Sequence, residues 1–357
     1  MILCGFLYVT VKDSSVMKNV TEEGKRIMGG QLKKLFGPVD MTEGKPWEKI
    51  VAFTVPLIIG NIAQQLYNTV DSIIVGRYVG DNALAAVGSA GPILNLLLVL
   101  FIGISVGSSV MVSQYFGAKE REELSATIGS CITLTAIASV IIMALAPFVI
   151  MPMLELLHTP DTIIDWCNSY LRILFIGIAG VAYYNILSGI LRGLGDSVSA
   201  LLYLLVATVL NIILDLWFVA GLGLGVPGVA LATAIAQAVS AILCMWKLTR
   251  MKDVFDFKLH YLKMKKNHAV NIIRLGLPSG LTQAIFSMAM VIVQSLTNSF
   301  GEMFIAANVI VMRVDGFAMM PNFSFGTTMT TYAGQNVGAN SYDRVEKGAR
   351  QGTLIAA

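Results

Sequence analysis

The sequence has few charged residues and lacks the residue pairs that build metal or redox sites. Asp, Glu, Lys and Arg make up 13% of the 357 residues, against about 25% in soluble domains. The four cysteines show no CxxC spacing and the three histidines form no ligand pair. We therefore predict no metal site, no disulfide framework and no cofactor. The net charge of +3 is too small to indicate a nucleic-acid partner.

Long apolar runs are what the sequence does contain, and hydrophobic residues make up 55% of it. Each run is about as long as the 20 or so residues that a membrane-spanning helix needs. A ninth run begins near Gly348. The sequence therefore predicts an all-α polytopic membrane protein with eight or nine transmembrane helices present. The eight complete runs are at 50–76, 84–115, 125–152, 163–191, 197–220, 227–249, 270–298 and 303–334.

The positions of the basic residues predict the orientation. Of the 25 lysines and arginines, 22 lie in the leader or in every second connector. Cytoplasmic segments of membrane proteins carry such an excess. We therefore predict a cytoplasmic N-terminal leader at residues 1–47 and a basic cytoplasmic linker at 251–268.

The chain also repeats itself. Residues 50–56 resemble residues 272–278, and residues 114–118 resemble residues 335–339, at offsets of 222 and 221. Two anchors at nearly one offset argue against chance similarity, and the six helices between copies predict two parallel six-helix repeats. The first repeat is the lobe at 48–250. The second, at 269–357, is incomplete, so we expect a chain that is truncated at its C-terminus.

Polar residues recur at helical spacing on one face of several spans. Such residues often only stabilise helix packing, but an acid at membrane depth predicts function. The oxygens of Asp71, Asn211, Asp215 and Thr233 predict a cation-coupling site that holds a proton or a small hard cation. The stripes comprise Asn61, Gln64, Asn68 and Asp71 in the first span, Asn211 and Asp215 in the fifth, Thr233 and Gln237 in the sixth, and Gln283 and Ser287 in the seventh.

One motif suggests a different class of protein. Residues 193–196 read GLGD, and a GxGD sequence occurs in intramembrane aspartyl proteases. However, Asp196 lies beside Arg192 at the cytoplasmic end of a span, where an N-cap for the next helix is the simpler interpretation. The protease remains the alternative from another class, and we expect that the chain is not an enzyme.

Four segments together resemble the MATE family of exporters. Residues 64–71, followed by Gly76 and Arg77, are similar to the first helix of that family. The segments at 191–197, 211–215 and 228–233 are similar to its fourth-to-fifth connector and to its fifth and sixth helices. The resemblance covers residues 36–357. It implies two six-helix lobes around a V-shaped cavity that opens alternately to either side of a bacterial inner membrane.

The resemblance also implies a function. Family members export amphipathic, often cationic drugs against an inward flow of H⁺ or Na⁺. In the branch that this chain resembles, the ion site occupies the positions of Asp71, Asn211, Asp215 and Thr233. Another branch has a glutamate where this chain has Phe286.

We therefore predict a cation-coupled drug antiporter that acts as a monomer in the lipid bilayer. The residues expected to line its substrate cavity are Gln64, Tyr67, Asn68 and Gln283. A lipid-linked oligosaccharide flippase of the same superfamily is the other alternative. Its cavity would need several cations for a pyrophosphate group, and only Arg172 and Arg313 are candidates.

Overall fold

The computed structural model describes residues 37–157, 159–298 and 302–356. Within these ranges the regular structure is helical and contains no strand. They also contain a six-residue π-helical segment, Leu216–Gly221, and a short 3₁₀ turn, Leu259–Leu262. Most of the predicted leader lies outside the described residues. The ten helices are α1 (Pro46–Tyr78), α2 (Asp81–Gly117), α3 (Arg121–Leu156), α4 (Asp161–Ile176), α5 (Ile178–Gly193), α6 (Ser197–Asp215), α7 (Gly225–Arg250), α8 (Lys266–Asn298), α9 (Glu302–Gly338) and α10 (Tyr342–Ala356).

The helices confirm the prediction of an all-α multi-pass membrane protein. Each of the eight apolar runs falls on helical residues, apart from short breaks, and α10 covers the start of the ninth. Among the described residues, five helices are long and apolar enough to cross a membrane, or six if α4 and α5 form one bent span. The total of eight or nine spans stays a prediction.

The fourth run is broken at Gly177, which the apolar pattern did not predict. The axes of α4 and α5 differ by 54° there. A Cβ atom added to Gly180 would lie 2.9 Å from the backbone nitrogen of Ala238 on α7. Small residues allow membrane helices to approach closely, so packing against α7 accompanies the break.

Helix α2 is the central element and contacts α8, α9 and α5. Where α2 crosses α8, a Cβ atom at Gly103 would lie 3.1 Å from the carbonyl oxygen of Gly276. Where α2 meets α9, an added Cβ at Gly117 would overlap the backbone of Gln335. An added Cβ at Gly338 would overlap the backbone of Gln114 in turn. The two copies of the second sequence anchor, 114–118 and 335–339, thus pack reciprocally against each other.

The basic linker packs along the first half of α3. The Arg121 guanidinium lies 2.8 Å from the Asp256 carboxylate and holds the pKa of that carboxyl below its usual range. The Asp256 amide donates to the Ser125 hydroxyl at 2.9 Å, and Thr133 donates to the carbonyl of Leu262 at 2.6 Å. The linker is therefore bound to the first repeat at several points.

Candidate functional site

Three helices bring the four predicted ion-site residues together. Asp71 lies on α1, Asn211 and Asp215 lie one turn apart on α6, and Thr233 lies on α7. Helix α6 packs against both α1 and α7. Asn211 and Asp215 have no solvent-exposed surface at all. The polar faces of these helices are therefore turned toward one another and away from lipid, as membrane burial requires.

The Thr233 hydroxyl joins the three helices. It shares a hydrogen bond of 3.3 Å with the Tyr67 hydroxyl of α1 and accepts one of 3.5 Å from the Asn211 amide of α6. Tyr67 was predicted to line the substrate cavity. Its hydroxyl contacts Thr233, one of the four residues predicted to form the ion site.

The two carboxyl groups of the cluster lie close together, and buried oxygens of both lack a donor among the described residues. Asp71 and Asp215 lie close enough for their side chains to interact directly. Among the described residues, no donor satisfies Oδ1 of Asp71, Oδ1 of Asn211 or either carboxylate oxygen of Asp215. Buried polar atoms without partners are rare and costly. A proton shared by the carboxyl groups, or a cation bound by these oxygens, would satisfy them.

The backbone next to the cluster is irregular. Asp215 is the last residue of α6, and the chain continues from it into the π-helical segment Leu216–Gly221. Single π-helical turns often occur at functional sites, where they redirect side chains. Nothing in the apolar pattern of 197–220 indicated this change.

The remaining predicted cavity residues do not join the cluster. Gln64 is half-buried on α1, and Asn68 is exposed one turn further along. Gln283 is exposed on α8, whose main neighbour is α2. Asn61, from the same stripe as Gln64, donates to the Ser324 hydroxyl of α9 at 2.8 Å and so connects the two repeats.

A cavity of about 340 Å³ lies elsewhere between the repeats. Residues of α2 and α5 from the first repeat line it together with residues of α8 and α9 from the second. Arg192, at the end of α5, is the one charged residue of its described lining. The full lining consists of Ser105, Val106, Ser109, Arg192, Ser279, Asn322, Phe323, Gly326, Thr327 and Thr330.

The sequence analysis did not predict that Arg192 lines a cavity. The expectation that Asp196 caps the next helix is confirmed, because its carboxylate accepts from the Ser199 amide at 2.9 Å. The nearest basic partner of Asp196 is Lys247, at 3.7 Å. Arg192, four residues before the cap, lines the cavity. The Arg313 side chain lies outside the described part of the chain.

Comparisons with known proteins agree on one family. A family model described as MatE matches residues 56–217 and 278–357. The probable multidrug resistance protein YoeA of Bacillus subtilis is 33% identical over 89% of this chain and 70% of that protein. The multidrug export protein MepA of Staphylococcus saprophyticus is 26% identical over 74% of this chain and 59% of that protein.

Solved structures show the same likeness. The outward-facing conformation of a multidrug resistance MATE family transporter of the MOP superfamily superposes with a TM-score of 0.82 at 28% identity. The match covers 88% of this chain and 70% of that one. A MOP superfamily transporter from Pyrococcus furiosus, described as having a binding pocket of reverse polarity, matches with a TM-score of 0.83, the same identity and the same coverage.

Proposed function

The chain belongs to the MatE family of transporters, and we propose that it exports amphipathic, often cationic drugs in exchange for inward H⁺ or Na⁺. One observation supports ion coupling above all. Buried oxygens of Asp71, Asn211 and Asp215 converge from two helices without a donor among the described residues. A site of this kind is satisfied only when a proton or a hard cation is bound.

The coupling follows from the position of the cluster. It ties α1, α6 and α7 together, so occupancy changes how these helices pack. A ligand shifts a conformational equilibrium only when it binds the two states with different affinity. We propose that binding at Asp71 and Asp215 favours the state in which the first-repeat side of the drug cavity is narrow. Release of the ion then lets the cavity widen and accept the next drug molecule.

The remaining assignments are part of the same proposal. The lobes are residues 48–250 and 269–357, joined by the linker at 251–268, with the N-terminus in the cytoplasm of a bacterium and the spans in its inner membrane. Gln64, Asn68 and Gln283 line the drug path, with Tyr67 between that path and the ion site. The transporter acts as a monomer.

Ethidium efflux from cells tests this function. We expect the complete protein to extrude ethidium, and efflux to collapse in Asp71→Asn and Asp215→Asn at matched membrane levels. Asp165→Asn is the matched control, because Asp165 is an exposed acid on α4. Failure to move any dye in a panel of cations would overturn drug export and direct attention to the flippase. Normal efflux by both Asn variants would refute the ion site while leaving the transporter intact.

A further inference from the structure

Arg192 is a cation that lines this cavity, and no acid among the described residues lies beside it. Its guanidinium makes one described hydrogen bond, to the Ser188 hydroxyl at 3.3 Å. None of the described ion pairs includes it, and the nearby Asp196 is paired with Lys247. A guanidinium presents five N–H donors in a rigid fork that matches carboxylate and phosphate oxygens. Most of these donors remain available to a molecule in the cavity.

The rest of the lining also favours a negative group. No Asp or Glu is among the described lining residues, which include the side chains of Ser109, Ser279 and Asn322. The hydroxyls of Ser109 and Ser279 have no partner among the described residues, and the Asn322 amide makes only a 3.8 Å contact with the sulfur of Met319. Arg192 and these three side chains together form a set of donors around one space.

Several other hydroxyls have a different role. Thr327 and Thr330 donate to carbonyl oxygens one turn earlier on α9, and Ser105 donates to the carbonyl of Asn185. Because these hydroxyls already donate to backbone carbonyls, they line the cavity without donating to a ligand. The donors left for a ligand are therefore those of Arg192, Ser109, Ser279 and Asn322.

From this arrangement we propose that the cavity at Arg192 binds an anionic group, a carboxylate or a phosphate, of a molecule held between the two repeats. The inference rests on the proposed function, since a space between the repeats receives a substrate only in a transporter. It adds a substrate class to that function: molecules whose carboxylate or phosphate contacts Arg192. The helix-end position of Arg192 also stabilises the α5 terminus, and the test separates the two roles.

Binding of two matched dyes to the purified complete protein in phospholipid-free detergent tests the proposal. Rhodamine 6G is a cationic ester, and its free acid differs by one carboxylate. We expect Arg192→Gln to weaken binding of the acid on the order of tenfold, the loss typical of one charge-assisted hydrogen bond, and to leave the ester unchanged. Arg192→Lys should retain part of the preference. Arg172→Gln is the control, because Arg172 is an exposed arginine of α4.

A second pair of variants covers the case in which the Arg192 variants fail to fold. A Cβ atom at Gly326, which lines the cavity, or at Gly316, on the same helix, would meet nothing within 4 Å. We expect Gly326→Leu to fill the cavity and weaken binding of the free-acid dye. We expect Gly316→Leu to bind this dye as tightly as the wild type does. Equal loss of both dyes in Arg192→Gln, or no loss of the acid in either cavity variant, would overturn the proposal.

Titration with dioctanoyl phosphatidylglycerol distinguishes the source of the anion. Displacement of the bound acid by this lipid, dependent on Arg192, means that a headgroup phosphate shares the site. Absence of displacement, with the dye preference intact, means that the site takes a soluble carboxylate. Because no ion gradient is present, failure here is distinct from failure of drug export.

Discussion

The hydroxyl groups of Thr54 and Thr328 lie 2.8 Å apart and join α1 of the first repeat to α9 of the second. The same contact recurs on the other side of the repeat axis. Gly276 is the counterpart of Thr54 at the offset of 222, and Gly107 is the counterpart of Thr328 at the offset of 221. An added Cβ at Gly107 would lie 3.0 Å from the amide nitrogen of Gly276. Thr54 and Thr328 meet through their hydroxyl groups, whereas Gly107 and Gly276 meet through their backbones. The two repeats therefore contact each other at equivalent positions through different chemical groups.

The close glycine contacts between the repeats are expected to be sensitive to any added side-chain atom. We expect Gly338→Ala to lower the melting temperature of the purified protein, because the new Cβ would overlap the carbonyl of Gln114. Overpacking of this kind costs about 1–3 kcal/mol. Gly316→Ala on the same helix is the control, since its Cβ meets open space. Thermal unfolding by scanning fluorimetry makes the comparison, and equal melting temperatures would show that the repeats need not approach so closely.

The Thr233 hydroxyl is expected to affect how ethidium efflux depends on proton and sodium concentration. We expect Thr233→Ala to lose the contacts with Tyr67 and Asn211, and to require a higher proton or sodium concentration for half-maximal ethidium efflux. Thr233→Ser keeps the hydroxyl and should behave as the wild type. Efflux is measured over a range of pH and sodium concentration. An unchanged ion dependence in the Ala variant would remove Thr233 from the site.

Substitution of Asn68 tests whether the proposed drug path is distinct from the proposed ion site. It is exposed on the face of α1 that carries Asp71, and neither atom of its side-chain amide has a described partner within the ion cluster. We expect Asn68→Phe to raise the half-saturating ethidium concentration severalfold and to leave the ion dependence unchanged. Leu66→Phe, at an exposed position on the opposite face of α1, is the control. A shift in ion dependence without a change in drug affinity would assign Asn68 to the wrong site.

His268 makes the linker sensitive to pH. Its Nε2 lies 2.9 Å from the Glu123 carboxylate and its Nδ1 lies 3.0 Å from the Thr127 hydroxyl. Burial lowers the pKa of His268 below its usual value of 6.5; Lys265 acts in the same direction, while Glu123 opposes it. The detached linker therefore takes up a proton more readily than the docked one. Docking is at full strength above about pH 6.5 and weakens as the pH falls toward the lowered value.

Hydrogen–deuterium exchange of residues 252–268 measures that effect. We expect exchange, corrected for its intrinsic pH dependence, to be faster at pH 5.5 than at pH 7.5 in the wild type. His268→Gln should remove the difference, and His260→Gln, at an exposed site in the linker, should preserve it. Docking that strengthens on acidification would mean that the Glu123 ion pair dominates over burial.

Some features of the fold could be predicted from sequence and others could not. The spans follow from apolar runs because lipid requires about 20 apolar residues, and the repeat follows from two short anchors. The bend at Gly177 and the π-helical segment after Asp215 depend on packing against α7 and on backbone hydrogen bonding. Neither has a signature in hydrophobicity.

The candidate site shows the same division. Helical spacing placed Asn211 and Asp215 on one face, and intramembrane acids are few enough to single out. Which polar residues of different helices meet is a property of tertiary contacts. Tyr67 therefore proved to contact Thr233, and Arg192 proved to line a cavity, although the sequence analysis predicted the first for the drug path and placed the second at a helix end.

Exchange of dye for ion in proteoliposomes tests the central claim most directly. The complete protein is reconstituted without an ion gradient, an ethidium gradient is imposed, and lumenal pH and sodium are recorded together. Coupled antiport predicts that dye leaving the lumen drives H⁺ or Na⁺ into it, and that Asp71→Asn and Asp215→Asn abolish this counterflow. Dye movement with neither ion moving in the opposite direction would contradict the account.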